Sequence, residues 1–218
     1  MKRPGPERND EDWMTTYGDM VTLLLCFFVM LVAVSKPDMA KFELIQAGMN
    51  ESLGPKDVTR PIEMMLMELS DDIQSMDMGE KIALGSDTQG VVLEINDDLA
   101  FNKGSADIRP QAIPVLKKIA ATLQSERFNA FNFSIEGHTS DEAFSSDKYP
   151  SNWELSGARA AAVARFLESR GIPRVRLKTL GLNDIAPKFP NHDPYGQPIP
   201  ENRSRNRRVV IHIEPNFK

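Results

Sequence analysis

Asp19 is the only formal charge between Trp13 and Ser35, a run otherwise built from apolar and uncharged residues. A carboxylate there can take up a proton or hold a small cation. Inside a bilayer it costs roughly 3 kcal/mol or more, so its presence implies work to do. At helical spacing Thr15, Asp19, Thr22 and Cys26 fall on one face, while Leu24, Phe27, Phe28 and Leu31 lie mostly elsewhere. Lipid cannot satisfy a polar face, so this one needs a protein partner. Sodium requires several oxygens at once, and this stretch offers the Asp19 carboxylate and the Thr22 hydroxyl, the remainder falling to partner subunits. Elsewhere the chain carries no nucleophile–base pair and no glycine-rich phosphate loop, which argues against an enzyme. His138, His192 and His212 lack ligand spacing, so no metal site is expected.

The element that must position Asp19 is the helix itself. At about 1.5 Å per residue, Trp13–Ser35 is long enough for a hydrocarbon core of about 30 Å. The preceding region is not basic and no small-residue cleavage site follows Val34, against a removed signal peptide. A plain anchor with Asp19 near the headgroups is the alternative to an ion-handling helix. One span is too little for an ion path, so partner subunits are implied. Cys26 is the only cysteine, so no intrachain disulfide can form, and the net charge of −5 gives no basic nucleic-acid footprint.

Residues 1–12 read as a polar tail and 13–35 as the transmembrane helix, with Pro37 marking its end. Residues 36–80 read as a connector. Within it Phe42, Ile45, Met49 and Leu53 make an amphipathic helix over 38–53, stopped by Gly54-Pro55. Its apolar face suits either a plain linker or a plug that blocks an ion path. A methionine-rich helix over 61–76 suits a pairing surface or a connector. The globular domain is expected over 81–218. Strands are predicted at 81–84, 91–95, 130–136, 174–179 and 209–213, with helices at 110–125 and 152–170 and a long loop over 182–205. The class is α+β, with a βαβαβ-like sandwich of helices against a mixed sheet.

The second half contains Ile135-Glu-Gly-His-Thr139, then Ser151-Asn-Trp-Glu-Leu-Ser-Gly-Ala-Arg-Ala160, then Asn202-Arg-Ser-Arg-Asn-Arg-Arg-Val209, with Leu99-Ala-Phe-Asn-Lys-Gly-Ser-Ala-Asp107 upstream. In this order the set resembles the OmpA C-terminal-like peptidoglycan-binding domain. The Ser-Asn-Trp-Glu-Leu-Ser form is similar to the flagellar stator B subunits, MotB and PomB. Tyr17–Phe28 resembles their single transmembrane helix.

The resemblance implies a stator B subunit that couples proton or sodium flow to torque while held on the wall. Flagellar motility is the leading use. A related ion-driven motor such as the Zorya-type phage-defence complexes, or a static membrane-to-wall tether, is the alternative. It implies a multi-span MotA/PomA-type partner, a homodimer, peptidoglycan and membrane as partners, and no nucleic acid. The only cofactor is the transported H+ or Na+. The N-terminus is expected in the cytoplasm and the domain in the periplasm, because the wall lies on that side. Stem peptides carry carboxylates and, often, diaminopimelate with both charge signs. Arg159 would take the carboxylate, ideally bidentately, and Asp141 the ammonium. Asn152 would cap the helix and Leu155 would lie one turn before Arg159. Arg159→Ala is expected to erase wall binding with the fold intact. Two departures from the family stand out. Ser140 follows Thr139 where the family usually has Asp, so Asp141, Glu142 or Asp147 must serve, and Gly18 precedes Asp19 where Ala is common.

Overall fold

The structure, a computed structural model, describes residues 12–34, 61–76, 78–88 and 90–216. The plug candidates Phe42, Ile45 and Met49, and the tail before Asp12, lie outside the described residues. The chain divides into two units, Met1–Pro37 and Asp38–Lys218. In the first, α1 (Asp12–Val34) is one unbroken helix. Its stretch Trp13–Val34 is long and apolar enough to cross a membrane, and its large apolar side chains are exposed along the whole length. Such a surface needs lipid or another protein around it.

The second unit starts earlier than its sequence suggests. Helix α2 (Pro61–Gln74) turns Ile62, Met65, Leu69 and Ile73 inward at a spacing of three and four residues. These four side chains belong to the main hydrophobic core. The domain therefore begins no later than Pro61, not near Lys81. Helix 61–74 is neither a connector nor a free pairing surface, because its apolar stripe is already covered. Leu69 is fully buried, so Leu69→Ala should destabilise the domain by about 2–5 kcal/mol, read as a lowered denaturation midpoint. A midpoint at the wild-type value would mean that the helix is only loosely docked.

Five strands form one sheet: β1 (Ile82–Ser86), β2 (Val91–Asn96), β3 (Phe131–His138), β4 (Leu177–Gly181) and β5 (Arg208–Pro215). Their spatial order is β1-β2-β5-β3-β4. All pairs are antiparallel except β3 with β4. Alternation decides the faces: Leu93, Ile211 and Ile135 line up across three strands on the buried face. After β2 comes a single turn, α3 (Asp97–Ala100), capped by the Asn96 side chain, which accepts from the Asp98 N–H. Then α4 (Ile113–Gln124) and α5 (Asn152–Ser169) complete the layer over the sheet, α5 against β3 and β4. This is the expected α+β class with a mixed sheet.

Two local readings change. Residues 174–176 form a tight 3-10 turn, and β4 starts only at Leu177. The stretch read as a long loop ends in a short helix, α6 (Pro200–Asn206), whose proline sits in the first turn. Asn206 is fully buried and holds that loop. Its Oδ1 accepts from the N–H groups of Lys188 and Phe189, and its Nδ2 donates to the Phe189 carbonyl and Asn191 Oδ1.

Candidate functional site

The first turn of α5 carries its own start signal. Ser151, not Asn152, is the N-cap: its hydroxyl accepts from the Trp153 N–H at 3.2 Å and donates to Glu154 at 2.5 Å. Asn152 is the first helical residue, and its amide crosses to the neighbouring loop, donating to the Glu142 carbonyl at 2.8 Å. The helix lies against the end of β3 because Gly137 has no side chain. A Cβ there would sit 2.0 Å from the Ser156 carbonyl oxygen. That close approach brings Leu155 and Arg159, one and two turns into the helix, over the ends of the strands.

Arg159 is only 3% exposed, which no surface arginine would be. Its Nη2 lies 2.9 Å from Asp97 Oδ2, its Nε donates to the Ser105 carbonyl at 2.9 Å, and its guanidinium stacks 5.4 Å from the Phe101 ring centre. Its Nε–H and one N–H of Nη2 are thus committed, leaving both N–H groups of Nη1 and the second of Nη2 as donors. Burial lifts the Asp97 carboxyl to about 6, against the pull of Arg159 and Arg207. The same burial draws Arg159 downward, with Asp97 opposing.

Above this pair opens a pocket of about 370 Å³. Leu155 and Arg159 of α5, Asp97 and Asp98 of α3, Lys103, Arg207 and the loop residues Thr139, Ser140 and Glu142 line it. Of the four wall-binding residues expected from the sequence, Asn152, Leu155 and Arg159 come together here. Asp141 does not. Arg203 Nε and Nη2 donate to its two oxygens at 2.8 and 2.9 Å, and His192 Nδ1 lies 3.4 Å away. Those hydrogen bonds from Arg203 hold its carboxyl below the usual range. Asp141 therefore ties the loop to α6 through a bidentate pair with Arg203 and stands outside the lining of this pocket. The exposed carboxylates that do face the pocket are Asp98 and Glu142.

Asp97 is the residue that sequence reasoning missed. Asn96-Asp97-Asp98 looks like an ordinary helix-start cluster, and nothing local marks one of its acids as the partner of a distant arginine. His138, beside Thr139 in the motif, takes the other side of the sheet. It is buried 3.4 Å from Glu136, and burial pushes its imidazole down to about 4, with Arg208 and His212 acting in the same direction.

In α1 the Thr22 hydroxyl donates to the Asp19 backbone carbonyl at 2.9 Å. The hydroxyl proton is used within the helix, so Thr22 offers lone pairs, not a donor, to a partner.

Two family profiles match the chain. One, described as "Membrane MotB of proton-channel complex MotA/MotB", covers residues 1–53, and the OmpA family covers residues 100–203. YtxE of Bacillus subtilis, an uncharacterised protein, is 29% identical over 98% of this chain and 93% of its own length. Motility protein B of the same organism is 25% identical over 98% of this chain and 94% of its length. Among solved structures, the periplasmic domain of Helicobacter pylori MotB superposes with a TM-score of 0.56 at 25% identity, covering 65% of this chain and 83% of that domain.

Proposed function

The chain belongs to the MotB-type stator B subunits, and from that membership we propose that it carries ions at Asp19 while its domain holds peptidoglycan. Members of this family are wall-binding stator components, and the chain is not an enzyme. It is an inner-membrane protein whose C-terminal domain belongs in the periplasm. The observation that carries the proposal is the pairing of two features in one chain. One is a polar stripe with Asp19 as the one carboxylate between Trp13 and Val34 of an otherwise apolar helix; the other is a pocket built over a buried arginine.

In this reading Asp19 takes up H+ or Na+ from one side and releases it to the other within each cycle. Thr22 adds an oxygen, and a multi-span MotA/PomA-type partner supplies the rest of the path. Two copies of the chain stand at the centre of the complex. The pocket receives the diaminopimelate end of a stem peptide, with its carboxylate on Arg159 Nη1 and its ammonium facing Asp98 or Glu142. A carboxylate–guanidinium contact of this kind is charge-assisted and hence among the stronger hydrogen bonds. Flagellar rotation is the use we favour, and a non-flagellar ion-driven motor is the second reading.

The test is expression with a multi-span partner. The expected results are co-purification, ion-driven output, and a C-terminal fusion at Lys218 that is active only with a periplasmic reporter. A fusion active only with a cytoplasmic reporter would remove the orientation. Wall binding without any co-purifying partner or output would make the chain a static tether.

A further inference from the structure

The wall-ligand reading assigns the pocket a ligand carboxylate. The geometry beneath that pocket adds a condition. Arg159 already has an anion: Asp97 Oδ2 at 2.9 Å, itself only 4% exposed. We infer that Asp97 competes with the ligand carboxylate for Arg159, so that filling the pocket draws a proton from solvent onto Asp97. This inference rests on the wall-ligand reading. It concerns how the same site is controlled.

Two carboxylates on one buried guanidinium repel each other in a place that water screens poorly. With Nε–H on the Ser105 carbonyl and Nη2 against Asp97, Nη1 is the one guanidinium nitrogen with both N–H groups open. A fork-like grip through Nη1 and Nη2 sets the ligand carboxylate on the nitrogen that Asp97 already holds, and the repulsion is relieved only when Asp97 ceases to be an anion. The proton then sits on an Asp97 oxygen, Nη2 turns to the ligand, and the net charge beneath the pocket is unchanged.

The surroundings leave few other groups to compensate. Asp98 follows on α3, Arg207 precedes β5 and accepts the Asp97 N–H at its carbonyl, and Lys103 and Glu142 line the rim. From the 139–150 loop the Tyr149 phenol adds to the field at Arg159. Both arginines pull Asp97 towards ionisation, yet burial outweighs them. The proton is therefore within reach near neutral pH.

The sign follows from linkage. Ligand raises the proton affinity of Asp97, so binding strengthens as pH falls towards about 6 and levels off below that. The experiment is calorimetric titration of the full chain in detergent with a synthetic stem tripeptide ending in diaminopimelate. It runs from about pH 5 to pH 8 in buffers of different ionisation enthalpy. Wild type should gain affinity by up to about tenfold per pH unit on the way down, with uptake of a fraction of a proton near pH 7. Asp97→Asn should flatten the profile and bind about tenfold tighter than wild type at pH 7.5, with no proton uptake. If that variant does not fold, the proton count on wild type decides alone.

A flat wild-type profile without proton uptake overturns the competition and leaves the wall reading standing. A slope of the opposite sign also overturns it, because Asp97 would then be holding the ligand's ammonium. Absence of binding at every pH removes both.

Discussion

Asp19→Asn abolishes ion-driven output while the chain still inserts, assembles and holds the wall: that is the expected result, and it is a complete loss. The amide keeps the size and polarity of the carboxyl. It cannot change charge, so it cannot take up and give back a cation within a cycle. The local structure gives no reason for collateral damage. Thr22 bonds to the Asp19 main-chain carbonyl, not to its side chain, so the helix turn survives the substitution. No other carboxylate stands between Trp13 and Ser35 to take over. Asp19→Glu keeps a titrating group on a longer arm and should retain a trace. The measurement is swimming or phage protection, with assembly followed by co-purification and wall binding by sedimentation. Wild-type output from Asp19→Asn would end the ion-carrier role and leave a static tether.

Arg159→Ala should do two things at once. It should erase sedimentation with purified peptidoglycan, and it should destabilise the domain by about 3–5 kcal/mol. The second effect is the correction to the expectation of an intact fold. Removing the guanidinium strands Asp97 without its partner, leaves the Ser105 carbonyl without its donor, and empties the space against Phe101. Loss of binding by this variant alone is therefore ambiguous. Arg159→Lys resolves it: the charge that faces Asp97 is kept, while the planar fork and two of its three donor nitrogens are lost. That variant should fold with a much smaller drop in stability and still bind the wall at least about tenfold more weakly, a loss of about 1.4 kcal/mol. Chemical denaturation and sedimentation on the same preparations give both numbers. Full wall binding by Arg159→Lys would take the guanidinium out of ligand recognition.

Features that depend on neighbours along the chain are legible in the sequence by itself. The span reads from its length and single charge, the strands from alternation at Phe131, Phe133 and Ile135, and α5 from its Gly171 and Pro173 stop, while its cap, expected at Asn152, is Ser151. Asn152, Leu155 and Arg159 sit on consecutive turns of one helix, so their sharing of a helix face follows from helical periodicity. The resemblance of the quoted motifs carries the family.

Tertiary structure decides what depends on distant partners. Helix 61–74 looks free in the sequence because an amphipathic stripe does not say what covers it, and only packing against α4 and the first hairpin makes it part of the core. Asp141 looks free in the sequence because it stands one place from the usual position, but Arg203 reaches it from the far end of the domain and bonds to both its oxygens. Asp97 looks like one acid in a helix-start cluster, and the fold sets it beneath Arg159. Periodicity is a local property of the backbone, so a sequence displays it. The choice of which carboxylate meets which guanidinium is made by the register of β3 and β5 and by the depth at which α5 lies on Gly137.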